Sequence, residues 1–182
     1  MNSIVAFSPN ATATEKLGEA IGRILVEGDV LLLSGDLGSG KTALTRGIAL
    51  GIDVVERVLS PTFVLVRSYV GRCLFFHADL YRLGASAGYD LEFLDLGRSD
   101  GVTVVEWGEL SGDFFDEHEP IYITFEPAPS DARVISMFWS SDRFNSRISV
   151  QKLAETYQQG TLEYGETREK FDGMLRSIGI SE

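Results

Sequence analysis

Apolar residues along the chain change period several times, and each change marks an element. Ile4-Val5-Ala6-Phe7 is a short apolar run closed by Ser8-Pro9-Asn10, a pattern that predicts an edge strand and a turn. Between Ala11 and Val26 the residues Leu17, Ala20, Ile21, Ile24 and Leu25 form a helical stripe, with Thr12 or Thr14 placed to cap its start and Gly28 to end it. The unbroken run Val30-Leu31-Leu32-Leu33 predicts a buried strand, and Lys41 to Leu50 a second helix. Ser60-Pro61-Thr62-Phe63 interrupts that periodicity, because Pro61 keeps Ser60 extended.

Further on, Phe63 to Val70 and Cys73 to Ala78 are β-rich and separated by Gly71-Arg72, a hairpin pattern. Residues 84–100 are turn-rich, with one short helical stretch around Tyr89 to Leu94. Val102 to Val105 predicts another doubly covered strand. Ile121 to Phe125 and Arg133 to Phe138 predict two more across the turn Pro127-Ala128-Pro129-Ser130. After Ser146 the character changes: Phe171, Met174, Leu175 and Ile178 share one helical face between charges, an amphipathic helix for packing on the domain or for docking a partner. The sum is an α/β domain over residues 1–144, with a helical C-terminal extension over residues 145–182 packed on it.

Composition narrows the class. A chain of 182 residues with 44% apolar content has enough material for one good-sized core. Its single cysteine, Cys73, rules out an internal disulfide framework and reads as a small apolar residue in a strand. No basic-then-apolar leader opens the chain and no run of 18 apolar residues occurs, so the expected location is the cytoplasm. The net charge of −11 is concentrated: residues 86–126 hold eleven acids and one base, Arg98. Such a segment disfavours direct binding to a phosphate backbone and suits either solvent or a basic partner protein.

The chemistry is carried by one octet. Gly35-Asp36-Leu37-Gly38-Ser39-Gly40-Lys41-Thr42 matches G-x-x-x-x-G-K-[ST], and it sits between a predicted strand and a predicted helix. All eight residues are assigned to nucleotide binding. The glycines let consecutive N–H groups turn inward toward phosphate oxygens, and the following helix adds the positive end of its dipole. Lys41 brings an ammonium to the outer phosphates, and the Thr42 hydroxyl is placed to ligate Mg²⁺. A nucleotide polyphosphate with magnesium follows; which nucleotide, and its fate, do not.

Three more clusters are placed to reach that nucleotide. Strand alternation puts His77 and Asp79 on one face, and Asp79 ends an apolar strand, where open α/β sheets present ligand groups. Glu106 ends Val102-Thr103-Val104-Val105, an arrangement for holding Mg²⁺ directly or through water. Thr62 lies in a loop where a switch threonine would touch Mg²⁺ or the γ-phosphate, or else is a turn residue after proline. His77 reads equally as a satisfied structural histidine or a catalytic one, and Trp107 as core or as a wall of the site.

The series GDLGSGKTALTRG, SPTF, HADLYRL and VEW followed by Glu109, in that order, resembles the TsaE (YjeE) family of small bacterial ATPases over about residues 4 to 138. The resemblance implies a P-loop α/β fold, which, joined to the elements read above, gives as the expected architecture a P-loop NTPase-like mixed, mostly parallel β-sheet flanked by helices, with a β-hairpin after the P-loop helix and a C-terminal helical tail. It implies ATP and Mg²⁺ as cofactors, and ATP hydrolysis that supports TsaD and TsaB in making N6-threonylcarbamoyladenosine (t6A) at adenosine 37 of tRNAs reading ANN codons. The acidic 86–126 segment fits this as a candidate docking surface for those partners, with tRNA met only through the complex. Carried over by position, Lys41, Asp79 and Glu106 are the catalytic residues, with Thr42 and Glu106 on the metal. Two features depart from the family pattern: Ala43 stands where many members have a second threonine, and the tail from about Asn145 to Glu182 is longer than the common family core, so nothing is carried over to it. A small-molecule kinase and a nucleotide-dependent switch with negligible turnover remain open. Sparse bases after Arg82 speak against a kinase lid, and the absence of an Asn-Lys-x-Asp motif speaks against a GTPase.

Overall fold

The computed structural model describes residues 2–61, 64–83, 91–94, 96–148, 153, 157 and 161–165. In chain order these form β1 (Asn2–Ser8), α1 (Ala11–Ile24), β2 (Val30–Ser34), α2 (Lys41–Gly51), β3 (Val66–Val70) and β4 (Leu74–Asp79). There follow β5 (Gly101–Glu106), β6 (Ile121–Pro127), β7 (Arg133–Trp139), a single helical turn α3 (Asp142–Asn145) and β8 (Thr161–Gly165). Short 3-10 turns cover Leu91–Leu94, Gly108–Ser111 and Asp116–His118.

The strands make one mixed sheet in the order β3-β4-β5-β2-β6-β7-β1-β8. Its centre, β4-β5-β2-β6, is parallel, and antiparallel pairs extend it on both sides. The mixed α/β sheet expected from the alternation of strands and helices is therefore present. Alternate residues of β2 point to opposite faces: Leu31 and Leu33 join the core under α1 and α2, whereas Val30 and Leu32 pack with Leu80, Val105 and Phe115. Both faces of the central strands are covered, which is why their sequences are continuous apolar runs.

Tertiary contacts alter several local expectations. Helix α1 is capped by Asn10, whose side chain accepts from the Ala13 N–H at 2.9 Å. Neither Thr12 nor Thr14 takes that role; the Thr14 hydroxyl is buried against Ser8 Oγ at 2.8 Å. Strand β1 is not an edge, since β7 and β8 pair on its two sides and the Tyr157 hydroxyl donates to the Phe7 carbonyl at 2.8 Å. Cys73 falls in the turn of the β3–β4 hairpin, one residue before the strand in which its apolar surroundings place it. Strand β8 has no counterpart in the sequence pattern, and the helix expected over Phe171 to Ile178 lies outside the described residues.

Helices α1 and α2 cross at a seam of glycines. A Cβ on Gly18 would stand 2.2 Å from the Leu44 carbonyl oxygen, and one on Gly47 would stand 1.9 Å from that of Glu15. Gly22 and Gly51, one turn further on, are equally tight. No side chain fits in this seam, so the P-loop helix rests directly on the backbone of α1. Arg72 in the hairpin turn then ties the two helix ends together. Its guanidinium donates to the carbonyls of Gly22 at 2.7 Å, Leu25 at 2.5 Å and Gly51 at 2.5 Å, satisfying groups that helix C-termini leave unpaired.

Candidate functional site

The turn Gly35–Gly40 leaves the C-terminal end of β2, the edge of a parallel sheet at which α/β folds bind ligands. Gly38 and Gly40 have φ of 80° and 112°, a region open to glycine and closed to most side chains. Gly40 caps α2 with no side-chain hydrogen bond, so the first turn of the helix faces the cleft uncapped. This is the strand–loop–helix context that the octet requires. An open cleft of about 300 Å³ lies over it, lined by Leu37 to Ala43 on one side and by Ser60, Asp79, Tyr81, Glu106 and Trp107 on the other.

Within the cleft, Lys41 is only 5% exposed. Its Nζ donates to the carbonyls of Gly35 at 2.5 Å and Asp36 at 2.9 Å and lies 4.0 Å from the centre of the Trp107 ring. Burial holds this ammonium below the usual lysine range, with Glu106, Glu109, Asp79 and Asp36 acting in the opposite direction. One Glu109 carboxylate oxygen, Oε2, is buried without a partner. Trp107 takes a left-handed backbone with φ of 62°, uncommon for a bulky residue, and its ring lies 4.9 Å from that of Tyr81. It is a wall of the site, half-buried, rather than core.

The two acids meet here because the sheet register brings them together: Asp79 and Glu106 are opposite each other at the ends of parallel β4 and β5. Glu106 is 3% exposed and accepts from Thr42 Oγ1 at 2.8 Å on Oε2. Its Oε1 lies 2.8 Å from His77 Nε2, and Thr45 Oγ1 is at 3.4 Å. Asp79 is held on both oxygens, by Ser60 Oγ at 2.9 Å and by the Tyr81 N–H at 3.2 Å. His77 is fully buried, and its Nδ1 has no partner.

A magnesium ion takes one or two protein groups together with phosphates and waters. Thr42 and Glu106 supply a hydroxyl and a carboxylate 2.8 Å apart at the floor of an open cleft, a donor set that fits it. Lys41, Thr42, Asp79 and Glu106 are thus gathered in one place, and Thr62 lies outside the described residues. The sequence reading missed Ser60, which serves Asp79, and Arg133, whose guanidinium packs on the P-loop: a Cβ at Gly40 would be 3.5 Å from its Nη1. Ser60 could have been suspected from its place beside Pro61. Arg133 carried no local signal.

Among the described residues no helix is long and apolar enough to cross a membrane. The family model for threonylcarbamoyl adenosine biosynthesis protein TsaE matches residues 8–135. A tRNA threonylcarbamoyladenosine biosynthesis protein TsaE from Treponema pallidum is 41% identical over 107 residues, covering 56% of this chain and 76% of the relative. The protein of the same name from Mycobacterium bovis is 39% identical over 142 residues, covering 72% and 84%. The crystal structure of YdiB from Bacillus subtilis superposes with a TM-score of 0.65 at 28% identity, covering 85% of this chain and 97% of that one. The matched span runs from the end of β1 to the start of β7 and contains every side chain of the cleft, and on that footing the chain belongs to the TsaE family.

Proposed function

We propose that the chain binds ATP with Mg²⁺ and hydrolyses it in support of t6A formation on tRNA, acting in the cytoplasm with TsaD and TsaB and meeting tRNA only through them. The observation that carries this reading is the Thr42–Glu106 hydrogen bond at the floor of a P-loop cleft, with Asp79 across from it. The names of the relatives, which are t6A biosynthesis proteins, support the pathway assignment.

Each residue has a task that follows from its placement. The loop N–H groups and the uncapped start of α2 bind phosphate oxygens. Lys41 exchanges its carbonyl partners for the β- and γ-phosphates, giving a charge-assisted contact in place of neutral ones. Thr42 and Glu106 would hold Mg²⁺, which would supply positive charge against the negative charge on the transferred phosphoryl oxygens. Asp79, fixed by Ser60 and the Tyr81 N–H, accepts a hydrogen bond from the attacking water and orients it toward the γ-phosphorus. Trp107 and Tyr81 shield one wall of the cleft from solvent.

Partner dependence is supported by charge. Asp113, Asp116, Glu117 and Glu119 are all exposed, a surface that repels tRNA and attracts a basic protein face. The test is reconstitution of t6A on unmodified tRNA with TsaD, TsaB, ATP and this chain. Modification should require the chain, and Lys41→Ala should abolish its contribution. Full modification with Lys41→Ala, or transfer of phosphate to a small acceptor in place of free phosphate release, contradicts the proposal.

A further inference from the structure

His77 lies outside the phosphate-binding loop, lines none of the cleft and is fully buried, yet one of its ring nitrogens is spent on the carboxylate that closes the metal site. It is two residues upstream of Asp79 on β4, so it projects from the same face of the sheet as Asp79 and its register partner Glu106. The Glu106 carboxylate is consequently held from two directions. Oε1 turns inward to His77 Nε2 at 2.8 Å, and Oε2 turns outward to Thr42 Oγ1 at 2.8 Å.

The tautomer follows from the contacts. A carboxylate offers only acceptor oxygens, so the proton belongs on Nε2. Nδ1 is buried with no partner, and a proton there would have no acceptor. His77 is therefore a one-donor group, fully buried, aimed at one carboxylate oxygen.

We propose that His77 is a positioning residue: its Nε2–H fixes the rotamer of Glu106 so that the other oxygen faces Thr42, and this sets the affinity of the site for its divalent cation. The inference rests on the assignment of Thr42 and Glu106 to Mg²⁺ above. Outer hydrogen bonds to metal-binding carboxylates orient them, and their loss typically lowers metal affinity or activity about 10- to 100-fold. Without the imidazole, Glu106 keeps only its contacts to Thr42 and the longer one to Thr45 and is free to rotate toward either.

The test uses the full chain with His77→Leu, which fills similar volume without a donor, and His77→Gln, whose amide can present a donor near the Nε2 position. A fluorescent ATP analogue reads binding at rising Mg²⁺, a parallel titration in EDTA reads metal-free binding, and thermal unfolding reads the fold. His77→Leu should raise the Mg²⁺ needed for half-maximal tightening about 10- to 100-fold, leave metal-free binding unchanged, and be rescued by His77→Gln. A Mg²⁺ requirement unchanged in His77→Leu, or equally raised in His77→Gln, overturns the proposal and leaves a space-filling histidine. Should His77→Leu fail to fold, His77→Asn replaces it: its shorter amide cannot reach Oε1, so Asn behaving like Gln also overturns the proposal. Failure of the wild-type chain to bind the analogue with Mg²⁺ defeats the proposed function itself, whereas wild-type binding with an indifferent His77→Leu defeats this inference alone.

Discussion

Thr42 Oγ1 donates to Glu106 Oε2 at 2.8 Å, joining the first turn of the P-loop helix to the end of a strand 64 positions away in sequence. The bond means that the hydroxyl and the carboxylate already point at a common location before any ligand arrives. Such preorganisation lowers the cost of assembling a metal site, because neither side chain has to be reoriented on binding. It also gives each residue a separable role. Thr42→Val removes the hydroxyl at nearly constant shape, and Glu106→Gln removes the charge at constant size. Each is expected to lower ATP turnover in the partner complex on the order of 100-fold and to weaken Mg²⁺-dependent nucleotide binding. Steady-state phosphate release at saturating Mg²⁺ checks this, and wild-type turnover in both variants would contradict it.

The glycine seam predicts a stability effect that local propensity would get backwards. Alanine is the better helix former, by about 1 kcal/mol over glycine. At Gly47, however, its methyl carbon would sit 1.9 Å from the Glu15 carbonyl oxygen, so α2 would have to move off α1. Gly47→Ala should therefore destabilise the fold by about 1–3 kcal/mol, or more, through overpacking. Chemical denaturation provides the measurement, and a gain in stability would show that the seam is looser than described.

Arg72 predicts a second effect, at the far end of the same helices. Arg72→Ala removes the donor to the carbonyls of Leu25 and Gly51 and leaves that of Gly22 with only the Leu25 N–H at 3.3 Å, at a cost of about 1–3 kcal/mol. Arg72→Lys should recover only part of it, since an ammonium cannot reproduce the planar fork. Equal denaturation midpoints for Arg72→Lys and the wild type would count against the clamp.

Much of the site was legible in sequence because its parts are local. The P-loop is contiguous, and Asp79 and Glu106 each end an apolar run, so strand periodicity alone locates them. What stayed hidden depends on elements far apart in the chain. Gly18 and Gly47 look like ordinary helix-weakening glycines until the two helices are laid together. Ser60 gains meaning only when β4 carries Asp79 to it, and Arg133 only when β7 passes the loop. The ambiguity of His77 has the same origin: its partner Glu106 is on another strand. β1 looks like an edge in sequence because nothing local in Thr161–Gly165 announces the strand that covers it.

Cys73 supplies a pH-dependent prediction. Burial raises its thiol above the ordinary 9.0, with Arg72 acting in the opposite direction, so the folded chain holds the proton more tightly than the unfolded chain does. The stability this contributes is complete below the unfolded value and is lost as pH rises through the folded one. Alkylation of the folded chain by iodoacetamide at pH 8 should accordingly be slower than that of the urea-unfolded chain, and the folded rate should climb only above the ordinary thiol range. Equal rates at pH 8 would refute the shift.

Asp79 and Glu106 converge on the P-loop at the ends of adjacent parallel strands, and the ATPase role proposed for them within a t6A-forming assembly is open to direct test. The most direct measurement is ATP hydrolysis by the chain recovered in complex with TsaD and TsaB, compared for wild type, Asp79→Ala and Glu106→Ala with nucleotide and Mg²⁺ held constant. Turnover should be slow for the isolated chain, rise in the complex, and collapse in both variants while complex formation persists. Normal hydrolysis by Asp79→Ala and Glu106→Ala within that complex would show that these acids do not carry the reaction.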